Sequence, residues 1–147
     1  MSSLIVRRAP ELESFRLREG ATNKMVPLLP AGLAGGTTSV NLEIWDVGGR
    51  QPENIHPDSP EIFYFLSGEG LAHCDGEAAG VGPGDLVILP AGSLHFIENT
   101  GETRLYALTT LLADDGSHAN PEGETAPLED EDLLALGLRF PTPSAPA

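Results

Sequence analysis

Between Thr37 and Leu112, short runs rich in β-branched and aromatic residues follow one another closely, each closed by a turn containing glycine or proline. Thr37 to Val47 reads as a strand ended by Gly48 and Gly49. Glu61 to Leu66, Leu71 to Cys74, Asp85 to Leu89, Leu94 to Asn99 and Arg104 to Leu112 read as further strands. Asp75–Gly76 is a tight-turn signal, and Gly82–Pro83–Gly84 is another break. Such a succession, without βαβ alternation, predicts an all-β domain: a single antiparallel barrel or sandwich.

The flanks are lighter. Phe15 and Leu17 alternate with Arg16 and Arg18 as an edge strand, Asn23 to Leu29 forms a second, and Pro30 to Gly36 is a loop. After the last strand, Asp114 to Pro127 is a polar linker in which His118 is solvated. Leu128 to Leu138 reads as one short helix, with acids in its first turn, Leu133, Leu134 and Leu136 on its apolar side, and Gly137 as its stop. Residues 141–147 read as a disordered tail. One structural domain is expected: residues 1–36 packing on the barrel, 37–112 as its core, and 113–147 as linker, helix and tail.

Charge narrows the partners. With 22 acidic against 8 basic residues the net charge is −14, a field that repels nucleic acid and anionic membrane surfaces. No run approaches the ~18 apolar residues of a membrane span. The first residues lack a secretory signal, and a lone Cys74 fits a reducing compartment, so the expected location is the cytoplasm.

Chemistry is concentrated around two histidines. In the second segment Gly84, Pro90, Gly92, His95 and Asn99 stand at fixed intervals; His95 and Asn99 share a strand face by parity. In the first, Gly48, Asn54, His56, Glu61 and Gly68 do the same. These spacings resemble the two motifs of the cupin superfamily, completely in the second and in all but one position of the first, where Asn54 replaces the usual histidine. The resemblance covers roughly residues 37 to 112 and implies a cupin jelly-roll barrel with a metal site built by His56, Glu61 and His95.

Two imidazoles and a carboxylate form a ligand set that suits Fe(II), with Mn, Ni, Zn or Cu as alternatives. Three protein ligands leave positions open for water, O₂ or substrate. Asn54 offers a weak neutral oxygen, which binds long, binds through water, or hydrogen-bonds a substrate instead. Phe63 and Phe65 share a face with Glu61 and are expected inside as pocket wall or core. Cys74 is read as a small core residue, with pocket lining as its alternative, and Asn99 as a structural hydrogen-bonder near the site. Trp45 is expected in the core, and Lys24, Arg50 and Arg104 are candidates to hold an anion. Ile62, Tyr64 and Leu66 face outward, which in cupins favours a homodimer.

The functional expectation is a metal-dependent enzyme acting on a small organic molecule. It would be dioxygenase-like or a related lyase, decarboxylase or isomerase, with no residue assigned a catalytic role. The alternative is a non-catalytic sensor or small-ligand-binding cupin. The chain carries no helix-turn-helix segment or basic patch that would support a DNA-binding regulator.

Overall fold

A computed structural model of the chain describes residues 3–116 and 124–138. A 3-10 turn at Ala9–Glu11 leads into ten strands and one helix. The strands are β1 (Glu13–Ser14), β2 (Asn23–Leu29), β3 (Ser39–Trp45), β4 (Glu61–Ser67), β5 (Gly70–Cys74), β6 (Glu77–Val81), β7 (Leu86–Leu89), β8 (His95–Asn99), β9 (Leu105–Leu111) and β10 (Ala126–Pro127); the helix is α1 (Asp130–Leu136). Every strand pair is antiparallel. A five-stranded sheet runs β2-β3-β9-β4-β7, a three-stranded sheet runs β6-β5-β8, and β1 pairs with β10. Among the described residues no helix is long and apolar enough to cross a membrane.

Parity divides the side chains of the large sheet between two layers. Inward go Trp45, Phe63, Phe65, Leu105 and Ala107, which pack against Ala72, Val81 and Ile97 of the small sheet as the barrel core. Outward go Val26, Leu42, Ile44 and Tyr106, which meet Leu128, Leu133, Leu136 and Leu138 beneath the helix. The segment before β4 closes one side of the barrel along β8. Gln51 N–H donates to Ile97 O at 3.2 Å, Asn99 N–H donates to Gly49 O at 2.8 Å, and Asn54 and His95 exchange two backbone bonds at 3.0 Å each.

The strand, turn and helix expectations agree with this fold, with five corrections. The edge strand expected at Phe15–Arg18 lies instead at Glu13–Ser14, and Phe15 adds only an isolated bridge to Met25. Glu77–Val81 is a strand that the sequence reading passed over, because Glu, Ala, Ala and Gly have little β propensity and β6 is mostly exposed. The polar linker contains β10, held by backbone pairing rather than by side-chain pattern. In α1, Leu133 and Leu136 pack inward, but Leu134 is 85% exposed and does not belong to the apolar side. Of the outward residues of β4, Tyr64 is exposed while Leu66 packs into the layer beneath the helix. His118 and residues 141–147 lie outside the described residues.

The helix is fixed by charge as well as by leucines. Asp132 is fully buried and accepts hydrogen bonds from Lys24 Nζ at 2.8 Å, Arg104 Nη1 at 2.9 Å, Tyr106 Oη at 2.9 Å and the Glu129 backbone N–H at 3.1 Å. Burial alone would raise the Asp132 pKa, but these donors outweigh it and hold the carboxyl below its ordinary value. Gly137 then ends the helix in the left-handed conformation, with φ at 67°.

Candidate metal centre

Backbone contacts stitch the two histidine segments together before any side chain takes part. Besides the double Asn54–His95 bridge, Gly92 N–H donates to His56 O at 2.9 Å, and the turn is closed by Ser93 N–H on Pro90 O at 3.1 Å. Gly84 and Gly92 have φ of 89° and 80°, which is why side-chain-bearing residues are disfavoured at those turns. Pro90, immediately after β7, ends its pairing.

His56, Glu61 and His95 are all buried, with ligand atoms within 4.8 Å of one another. His56 Nε2 lies 3.0 Å from Glu61 Oε2, and His95 Nε2 lies 3.1 Å from the same oxygen. Donor atoms sharing one first-row metal at bond lengths near 2.1 Å stand about 3 Å apart, so this spacing suits a shared ion. His95 Nδ1 is 3.1 Å from the carbonyl of Ser93, which requires a proton on Nδ1. In a neutral ring that leaves the Nε2 lone pair aimed at a carboxylate oxygen, so only a proton or a cation between them makes the contact favourable. The hydrogen bond to Glu61 raises the His56 pKa. Burial pushes Glu61 up, yet its bonds to His56 and His95 prevail and hold it below the ordinary carboxylate range.

Asn54 lines the same cleft. Its Nδ2 donates to Pro52 O at 3.2 Å, while its Oδ1 is buried with no hydrogen-bond partner. An orphaned oxygen on a residue that lines the cleft with His56 and Glu61 fits a site completed by a cation or by water on that cation. On chemistry and on these contacts, the residues present suit a divalent transition metal.

The cleft has a volume of about 290 Å³ and is lined by polar groups from several elements, including Asn23 on β2, Glu43 on β3, Gln51 before β4 and Arg18 at the rim. A larger hollow of about 540 Å³, between the N-terminal segment and the stretch around β10 that precedes α1, contains no cluster of metal-ligating groups among the described residues. Phe63 and Phe65 are fully buried and stack on each other at 6.2 Å between centroids, with Trp45 tilted against Phe63 at 6.2 Å, forming apolar core below the polar end of the barrel. Cys74 is half-buried and packs against that core, opposite His95 across the β5–β8 pair. Asn99 is committed elsewhere: its amide donates to the carbonyls of Trp45, Asp46 and Thr103 and accepts from Gly101 N–H.

The expected anion-holding cations are placed otherwise. Lys24 and Arg104 are bound to α1 acids, and Arg50 lies 4.2 Å over the Phe96 ring. Both ion pairs depend on a helix far away in sequence, which local pattern does not show. Sequence reasoning also missed Glu43 and Gln51. Glu43 shares its strand parity with the buried Trp45, and that was the available signal.

An antiparallel barrel of two sheets with His, His and Glu converging at one end defines a cupin. The chain belongs to that superfamily, and residues 41–111 match the cupin domain family model. Over 57 residues it is 39% identical to an oxalate-binding protein of Thermotoga maritima, covering 39% of this chain and 47% of that one. The chain spans about half the length of the curated relatives it matches. A solved structure described as a predicted oxalate decarboxylase from Thermotoga maritima superposes with a TM-score of 0.63 at 27% identity, covering 74% of this chain and 99% of that one. An oxalate oxidase structure is similar in fold, with a TM-score of 0.58 at 24% identity over 67% of this chain and 54% of the other.

Proposed function

We propose that this chain is a metal-dependent cupin enzyme that takes a small organic acid at a divalent transition-metal centre held by His56, Glu61 and His95. The observation that carries this reading is the convergence of two imidazole Nε2 atoms on one buried carboxylate oxygen. Bound there, such an ion supplies Lewis acidity toward a carboxylate oxygen or redox chemistry with O₂, with Fe(II) ahead of Mn, Ni, Zn or Cu. The chain's own groups prepare the place. Ser93 O orients the His95 ring, Glu61 brings negative charge, and the Trp45–Phe63–Phe65 layer keeps water from the barrel below. Asn54 completes the set weakly or through water. The relatives named for oxalate support a small carboxylate as the ligand. Decarboxylase, dioxygenase-like, lyase and isomerase chemistry are the reaction classes to test.

A binding module without turnover is the second reading, favoured by the relative named as an oxalate-binding protein. With either reading we place a homodimer in the cytoplasm. The test is metal analysis of the purified protein, followed by oxalate binding and by assays for O₂ uptake and for product release. Bound metal with turnover supports the enzyme, and tight oxalate binding without turnover supports the module. Failure to take up any divalent metal, or a His95→Ala variant that retains metal fully, would remove the enzyme, and failure to bind oxalate would remove the module.

A further inference from the structure

Glu43 is a buried carboxyl with no cationic partner among the described residues, and the metal centre does not use it. It lies outside the His56–Glu61–His95 group but faces the same cleft. Its neighbours determine which oxygen does what. Asn23 Nδ2 donates to Glu43 Oε1 at 2.7 Å, and Gln51 Nε2 donates to that oxygen at 3.3 Å. The Gln51 amide cannot be turned the other way, because its Oε1 already accepts the Ile97 backbone N–H at 2.7 Å. Both amide donors therefore converge on Oε1. Oε2 has no hydrogen-bond partner among the described residues and keeps a small solvent contact.

Resting on the proposed function above, we propose that Glu43 is the ligand-contacting acid of this cleft, its Oε2–H donating a hydrogen bond to a carboxylate oxygen of a small anion seated beside the metal centre. The surroundings favour the proton. Burial, and next the like charge of Glu61, push the Glu43 pKa up to about 8, against the lowering effect of Asn23. The other ionisable groups on the cleft are His56, Glu53 and Asp115, with Arg18 at the rim. The Arg18 side chain has no ion pair or hydrogen bond among the described residues, its backbone carbonyl alone accepting from Ala21 N–H, so a guanidinium at the entrance and a neutral acid within flank the space where an anion enters. In a chain of charge −14, an acid that keeps its proton lets a carboxylate approach without a second buried anion opposing it.

Two measurements on the full-length protein test this. Infrared difference spectra of the metal-free protein near neutral pH should show a protonated-carboxyl band that is absent in Glu43→Gln, a variant that preserves both amide contacts. Oxalate titrated into metal-loaded protein should shift that band. Its affinity should fall about tenfold in the unmodified chain as pH is raised far enough for the Glu43 band to disappear, and stay level over the same range in Glu43→Gln, since a lost hydrogen bond is worth about 1 kcal/mol. A band that persists in Glu43→Gln, or the same pH dependence in both proteins, overturns the proposal. A Glu43 band that oxalate leaves unmoved in protein that does bind oxalate overturns the ligand contact and leaves the metal reading intact. Absent metal uptake removes the proposed function and the ligand contact with it, while the infrared band still reports whether Glu43 holds its proton.

Discussion

Replacing Asp132 by alanine should loosen the whole outer layer of the barrel, and the contacts give the size of the effect. The change leaves Lys24, only 5% exposed, without its 2.8 Å partner and deprives the buried Tyr106 hydroxyl of its acceptor. Removing one member of a buried pair costs roughly 3–5 kcal/mol, and the hydroxyl adds about 1. Part of this is regained, because Lys24 and Arg104 can still lean on Glu129, a solvent-screened partner worth little. A net loss of about 3 kcal/mol follows, or a melting temperature lower by roughly 6–12 °C for a domain of this size. Lys24→Met should lose less, since Asp132 keeps Arg104, Tyr106 and the Glu129 N–H. Lys24→Met combined with Asp132→Leu should recover part of the single-variant loss, because apolar replacements leave no buried charge unpaired. Urea unfolding followed by circular dichroism measures all three. A loss below about 1 kcal/mol for Asp132→Ala, or a larger loss for Lys24→Met, would refute the reasoning.

Other expectations follow from the same geometry. His56→Ala, Glu61→Ala or His95→Ala should each empty the metal site while the barrel stays folded. Asn54→Ala should lose much less metal, and Asn54→His should bind it more tightly. Metal content and dissociation constants decide this, and an Asn54→Ala protein as empty as His95→Ala would make Asn54 a full ligand. The metal-free protein should lose stability as pH rises from about 4.5 to about 8, because the folded state holds a proton on Glu43 that the unfolded chain releases. Glu43→Gln should flatten that slope in urea titrations, and an unchanged slope would count against it. Tyr64, Leu86 and Ile88, the last 63% exposed, form an apolar face at the β7 edge of the large sheet. Sedimentation at micromolar concentration should therefore give about twice 15.5 kDa, and Ile88→Lys should halve it. A clean monomer before substitution would dismiss that face as an interface.

Strand order along the chain was legible because glycine and proline mark the turns and β-branched residues fill the runs between them. His56, Glu61 and His95 were legible because a metal site needs particular residue types at particular spacings. β6 was not, since Glu77, Ala78, Ala79 and Gly80 give no alternation and the strand forms through pairing with β5. The Asp132 network was hidden for a related reason. In sequence Asp132 is one acid in a helix turn, and its burial arises only when α1 lands on Lys24 and Tyr106, one from β2 and one from β9. Glu43 lay within reach of parity, but a glutamate between Leu42 and Ile44 does not announce which face carries function.

The pairing of β2 with β3 gives the large sheet a buried carboxyl on each side, handled in opposite ways. Outside, Lys24 meets Asp132 with permanent positive charge; inside, the adjacent Asn23 meets Glu43 with a neutral amide, and the acid keeps a proton. Acid therefore attacks the outer face, as Asp132 loses its charge below its ordinary value of 3.8, and alkali attacks the inner one. Loss of the Asp132 charge in acid and loss of the Glu43 proton in alkali thus strike opposite surfaces of one wall. A cation seated by Glu61 would weaken the like-charge push on Glu43 and so move the alkaline limit. The width of that range then becomes a gauge of metal occupancy, readable from unfolding curves without any substrate.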